Sequence, residues 1–187
     1  MEKDSAKSKG VVAFFDGFSG FCVKDGEFSL KETGVDDKEF YAKLFYDDEL
    51  NKFWGYDYKT DDYFKGKPLS EDTAFGFMQS LKRDKEEISL IMRQGNGRVG
   101  EIVLYGFSEK DESVEIGVRI SPEYQGKGLG KKGVTLATEK ILKENLAKKC
   151  VARCFKQNVA SRRLFLSAGY RKSGEDDGFY YFSKAAL

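Results

Sequence analysis

The sequence predicts a single α/β layered domain with a mixed, mostly antiparallel central sheet, a splayed parallel pair and flanking helices. Three observations carry this prediction. Short runs of apolar residues alternate at period two towards both ends of the chain, stripes of period three and four lie between them, and a glycine-rich turn joins one run to one stripe. With 187 residues at 40% hydrophobic, the chain suffices for one domain with a real core and leaves no room for a second.

Residues 1–10 read as a polar tail, and the apolar patches 11–15 and 21–23 as a small hairpin. Residues 1–26 are thus expected to form a tail with an extra hairpin, and 27–187 the domain proper. A first core strand is expected over 28–31. Asp36 or Asp37 can cap a helix that buries Phe40, Tyr41, Leu44 and Phe45, and Ser70 introduces another with Ala74, Phe77, Met78 and Leu81 inward. Strands over 88–93 and 98–107 are joined by Gln94-Gly95-Asn96-Gly97, a hairpin signal. In the next strand Val114, Ile116, Val118 and Ile120 alternate with Glu115, Gly117 and Arg119, and Pro122 ends it. From Leu129, residues Val134, Ala137, Thr138, Ile141, Leu142 and Leu146 give the stripe of a helix packed on a sheet. A strand over 150–156, a helix over 160–168 stopped by Gly169, and strands near 170–172 and 179–184 complete the chain.

The glycine-rich turn is Gln125-Gly126-Lys127-Gly128-Leu129-Gly130. Glycines there accept positive φ and let the backbone approach a ligand, while unpaired N–H groups and the helix dipole attract an anion. A pyrophosphate fits such a nest. Gly128-x-Gly130-x-x-Gly133 matches the dinucleotide fingerprint in letters, but that reading needs an acidic residue about 20 positions on. The strand Cys150-Val151-Ala152-Arg153-Cys154-Phe155-Lys156 offers none. A P-loop fails too, since no Gly-Lys is followed by Ser or Thr.

No apolar run reaches the ~18 residues of a membrane span, and no basic-then-apolar signal opens the chain, so a cytoplasmic protein without membrane contact is expected. Cys22, Cys150 and Cys154 are odd in number and histidine is absent, which indicates neither a disulfide framework nor a metal site. The net charge of +1 hides a division: residues 119–172 hold nine Lys and five Arg against three Glu, a net +11 that leaves the remainder at −10. Part of this is the solvated face of a helix. Lys127, Lys131 and Lys132, with Arg162 and Arg163, are also placed to draw in a phosphate-bearing ligand.

The turn resembles the acyl-CoA loop of the GCN5-related N-acetyltransferases (GNAT), in which Gln125, Gly128 and Gly130 fit the pattern Gln or Arg, two residues, Gly, one residue, Gly or Ala. The run from Val114 to Gly128, Asn158-x-x-Ser161 and Ala168-Gly169-Tyr170 are similar to the branch holding ribosomal-protein N-terminal and spermidine acetyltransferases. The likeness covers about residues 27–185 and is strongest over 86–172. It implies an acetyl-CoA-dependent N-acetyltransferase, with a primary amine of a small molecule or a peptide N-terminus attacking the thioester directly. The coenzyme would lie on the backbone of Val118, Arg119 and Ile120, on Gln125, Gly126, Lys127, Gly128, Leu129, Gly130 and Lys131, and on Asn158, Ser161 and Arg163.

Without histidine, the base that takes the amine's proton is a carboxylate, a tyrosine or a water they hold. Glu115 is the candidate, opposite the apolar strand face and next to Gly117, where a thioester arm could come close. The alternative is a strand glutamate paired with Arg119. The family's usual tyrosine acid, seven residues after the Asn, is here Phe165, which has no proton to give. Ser161 is the replacement implied by the ribosomal-protein branch, with Tyr124 and Tyr170 in reserve; as an alternative, Ser161 is an ordinary helix-start hydroxyl. Carboxylates and rings interleave from Asp47 to Tyr63, which suits a protonated amine, so Trp54, Tyr56 and Glu115 are expected on the acceptor side. A coenzyme-binding domain without catalysis, and a basic nucleic-acid-binding module, are the competing classes. Exposed C-terminal strand edges would allow a homodimer.

Overall fold

The computed structural model describes residues 9–186. Helix α1 (Lys9–Asp16) is followed by β1 (Cys22–Asp25), β2 (Phe28–Glu32), α2 (Lys38–Phe45), α3 (Asp48–Asn51) and α4 (Glu71–Arg83). Then come β3 (Glu87–Gln94), β4 (Gly97–Ser108), β5 (Ser113–Ile120), α5 (Leu129–Lys143), β6 (Lys149–Phe155), α6 (Val159–Ser167), β7 (Arg171–Glu175) and β8 (Phe179–Ala185). One sheet runs in the order β1-β2-β3-β4-β5-β6-β8-β7, antiparallel throughout except for the β5–β6 pair. The expected α/β layering with a parallel pair is what the chain forms.

Local chemistry explains the boundaries. Ser70 caps α4, its hydroxyl accepting the Thr73 N–H at 3.2 Å. Gly95, at φ 57°, turns β3 into β4. Asp37 precedes α2 but does not cap it: its carboxylate receives Arg93, and Arg98 at 2.6 Å, which anchors the α2 entrance to the β3–β4 hairpin.

The period-two pattern gives the sheet two unlike faces. Ile88, Leu90, Met92, Ile102, Leu104, Val114 and Ile116 share the main core with Val134, Ala137 and Ile141 of α5. The opposite face carries Ser89, Glu101, Tyr105, Glu115, Gly117 and Arg119 beneath α2 and α4, beside an aromatic cluster of Tyr41, Phe45, Tyr58, Phe64 and Phe77.

The N-terminal segment departs from expectation. Residues 11–15 are helical, not half of a hairpin, because Val11, Phe14, Phe15 and Phe18 recur at i, i+3, i+4 and i+7 and so form one stripe. The hairpin partner of β1 is β2, across Gly26 at φ 59°, so residue 26 falls inside a turn. Phe14, Phe15, Phe18 and Phe21 are all buried in the main core, and Phe14 stacks on Phe107 of β4 at 4.6 Å. Phe14→Ala should therefore cost about 3–5 kcal/mol of unfolding free energy, measured by urea denaturation. A loss under about 0.5 kcal/mol, the usual size of a surface substitution, would mean that α1 is peripheral.

Candidate active site

The site begins where β5 and β6 part. Their parallel register holds for Ser113↔Lys149, Val114↔Cys150 and Glu115↔Val151, and no pairing follows. On its other side β5 stays bonded to β4, and the Ser121 N–H meets the Val99 carbonyl at 3.0 Å. Antiparallel bonding alternates, so residues 117 and 119 direct their backbone groups to β4, whereas Val118 and Ile120 direct theirs to the open side. The Arg119 carbonyl lies 2.3 Å from where a Cβ on Gly100 would sit, which places it against β4.

The loop after β5 closes the notch. Gln125 Nε2 donates to the Ile120 carbonyl at 3.1 Å and folds the loop back on the strand. Gly126 and Gly128 have φ of 73° and 76°, which L side chains rarely adopt, and Gly128 is the α5 N-cap. The first ladder bond runs from Lys132 N–H to Gly128 C=O at 3.1 Å, so the amides before it lie outside the helix ladder. Lys127, Lys131 and Arg163 are exposed around this end. A Cβ on Gly130 would lie 2.6 Å from Leu164 Cδ1, so this glycine lets α6 close against the start of α5. Open strand backbone, unpaired helix amides and nearby cations fit an extended ligand that ends in phosphates.

A family model described as an acetyltransferase (GNAT) domain matches residues 29–171. This chain belongs to the GNAT family. An uncharacterized N-acetyltransferase, YnaD, of Bacillus subtilis is 28% identical over 124 residues, covering 64% of this chain and 72% of that one. The fold is similar to that of a spermidine N-acetyltransferase from Vibrio cholerae solved with CoA and spermine, with a TM-score of 0.70 at 16% identity over 86% of this chain and 96% of that one. It is similar as well to a ribosomal L7/L12 alpha-N-protein acetyltransferase, with a TM-score of 0.73 at 11% identity over 89% of this chain and 94% of that one.

In this acetyltransferase Glu115 is the last residue of β5 paired to β6 and is half-buried. It is not paired with Arg119. Tyr105, its register partner on β4, donates its hydroxyl to Glu115 Oε1 at 2.8 Å, and Arg153 Nε lies 3.6 Å from the same oxygen. Burial, then the neighbouring Glu115 charge, push the Tyr105 phenol far up, so it stays a donor. Arg119 is fully committed elsewhere. Its guanidinium is buried on Glu101, with Nε at 2.9 Å, and Nη1 donates to Asn51 Oδ1 at 3.1 Å. Both its side chain and its carbonyl thus turn away from the notch, and Val118 and Ile120 are left on the open side.

Asn158 is the N-cap of α6, its Oδ1 accepting the Ser161 N–H at 3.0 Å. The Ser161 hydroxyl sits 3.1 Å from Cys154 Sγ, whose side chain packs into the main core on the α5 face of the sheet. Phe165 is core, between Tyr170 and Phe182. Tyr170 leaves the pool of reserve acids, because it is buried with its hydroxyl 2.6 Å from Thr138 Oγ1. Gly117 is not open to a thioester arm on this face, since the Trp54 indole covers it. Tyr56 stacks on Phe77, and its buried hydroxyl has no hydrogen-bond partner among the described residues. Tyr105 and Arg153 escaped sequence reasoning, because their approach to Glu115 depends on a register shift between Tyr105 and Ser108 and on the splay. No helix among the described residues is long and apolar enough to cross a membrane.

Two outcomes follow from this geometry. Phe165→Tyr should lower the melting temperature without raising turnover, because the new hydroxyl would be buried among apolar rings; a faster enzyme in an acetylation assay would contradict the core assignment. Glu87, pushed up to about 7 from 4.5 by burial and then by Glu101, binds more protons folded than unfolded between these values. Stability from this group therefore falls as pH rises from about 4.5 to 7 and stays lost above. Glu87→Gln should raise the melting temperature at pH 8 and leave it unchanged at pH 4, as read by calorimetry.

Proposed function

We propose that this acetyltransferase moves the acetyl group of acetyl-CoA to a primary amine, of a small molecule or a peptide N-terminus, by direct attack on the thioester in the cytoplasm. The observation that carries this reading is the end of β5–β6 pairing at Glu115, which sets a carboxylate at the edge of an opening between two strands. Coenzyme A supplies an acetyl group activated as a thioester. The chain's contribution is to hold it and to move protons. Val118 and Ile120 bond the pantetheine arm as an added strand would, and the amides of residues 126–131 hold the pyrophosphate. Lys127, Lys131 and Arg163 supply positive charge to the remaining phosphate.

An ammonium group must lose a proton before its nitrogen can attack. Glu115 takes that proton, directly or through a water, while Tyr105 fixes one carboxylate oxygen and Arg153 stands 3.6 Å from the same atom. As the nitrogen–carbon bond forms and the carbon–sulfur bond breaks, the second proton of the attacking nitrogen passes to the departing thiolate, with the Ser161 hydroxyl as the relay that receives one proton as it gives another. Burial pushes the adjacent Cys154 thiol up, so Cys154 stays protonated beside that serine. Trp54 and Tyr56 line the acceptor side.

Glu115→Gln tests this reading. Isothermal titration should show acetyl-CoA binding retained, while turnover falls by about 10²–10⁴, the usual worth of a general base. Wild-type turnover in that variant would remove Glu115 from the chemistry, and a folded protein that does not bind acetyl-CoA would overturn the coenzyme site.

A further inference from the structure

Trp54 is the single tryptophan of the chain, and it lies against the strand face that carries Glu115. A Cβ added to Gly117 would meet Trp54 Cη2 at 2.7 Å and Cζ3 at 3.3 Å, so the ring occupies the space that the missing side chain leaves. On the ring face, the Arg119 guanidinium carbon stands 4.5 Å from the indole centre. Arg119 has no freedom of its own. Glu101 receives both Nε and Nη2, Asn51 receives Nη1, and the second Glu101 oxygen takes the Ser89 hydroxyl. Glu101 is 0% and Arg119 4% exposed, so the clamp is desolvated and neither partner can swing out without leaving a buried charge.

Beyond the ring lies a cleft of about 440 Å³ whose walls include Asp48, Trp54, Tyr56, Asp57 and Arg119, and Glu115 is not among them. The indole is thus a wall of this cleft and also sits on Gly117, two residues from Glu115 on the same strand face. Residues two apart on a strand face are separated by roughly 7 Å, so a ring seated on Gly117 leaves little width beside Glu115.

We propose that Trp54 is the specificity-determining residue of the acceptor side, its indole limiting access to Glu115 to primary amines unbranched at the carbon that bears the nitrogen, with Arg119 and Glu101 as positioning residues that act through it. This rests on Glu115 being the group that the amine must reach. The selection is steric and rigid, because a planar guanidinium stacked on an indole and pinned at three nitrogens does not yield as a flexible chain would.

The test compares initial rates of CoA release with amines matched in charge and size, n-butylamine against sec-butylamine and a glycine-headed against a valine-headed tripeptide amide. Wild type, Trp54→Ala, Gly117→Ala and Arg119→Lys are assayed, each checked by thermal melting. Wild type should prefer the unbranched member about 10-fold or more in kcat/KM, and Trp54→Ala should bring the ratio near one, with the KM for acetyl-CoA unchanged. Gly117→Ala should displace the ring, move the emission of the lone tryptophan and relax the ratio; Arg119→Lys should do the same in part. A ratio already near one in wild type, or a Trp54→Ala variant that loses rate equally on both members, overturns the inference. When either of those results is seen and Glu115→Gln, assayed alongside, is inactive, the proposed chemistry survives while the role of Trp54 falls. Failure of every amine to release CoA from wild type would overturn both.

Discussion

The parallel ladder between β5 and β6 holds for three residue pairs, from Ser113↔Lys149 to Glu115↔Val151, and then the strands part. A strand edge within a sheet normally has its N–H and C=O groups paired, and unpaired ones buried without water are costly. Here the parting is stabilised from both sides. β5 stays bonded to β4 up to Ile120, and β6 stays bonded to β8 up to Phe155, so neither strand frays when it leaves the other. What remains between them is a slot lined by backbone, closed at one end by Gln125 on the Ile120 carbonyl and by the N-terminus of α5. A thioester-bearing arm needs that kind of slot, because a chain with few side-chain handles is best held through its amides.

The two faces of the sheet divide the work. The face under α5 is apolar almost without interruption and supplies most of the hydrophobic core. The other carries polar groups that would be a liability unless each found a partner. Thr33, Ser89, Glu101, Arg119 and Asn51 satisfy one another in a continuous chain, and Asn51 Nδ2 in turn takes carbonyls of Leu44 and Phe45 at the end of α2. This chain links four strands or strand ends to the helical layer, so the layer that carries Trp54 is fixed relative to the strand that carries Glu115. A buried ion pair is weak evidence of extra stability. Its value here is geometric, because removing either partner strands a charge and so disfavours every arrangement but one.

Much of the fold was legible in the chain. The β5 alternation, the α5 stripe, the Ser70 cap and the Gln94–Gly97 hairpin are local signals, written within a few residues and obeyed because nothing distant opposes them. The helical stripe Val11, Phe14, Phe15, Phe18 is equally local, but the two short apolar runs on either side of Gly17 also match a hairpin, and only the packing of α1 on the core separates the two. Of the candidate site, the conformation of the glycine loop and the strand position of Glu115 were legible, since positive φ and period-two alternation leave marks in sequence. Tyr105, Arg153, Glu101 and the seat of Trp54 were not. Their contacts depend on register, on a bulge before Ser108 and on a loop some 60 residues away in sequence from the glycine it covers.

By itself, then, the sequence determined the layered α/β architecture, the glycine turn that starts α5 and the carboxylate on the strand before it, because each of these is a matter of local backbone preference and periodicity. Tertiary structure alone decided that Arg119 turns inward to Glu101, that Asn158 closes a helix, that Phe165 is core and that Trp54 fills the space above Gly117. The physical reason is that a side chain's role follows from the partner it meets. For these residues the partner lies on another element, and only the packed sheet brings the two together.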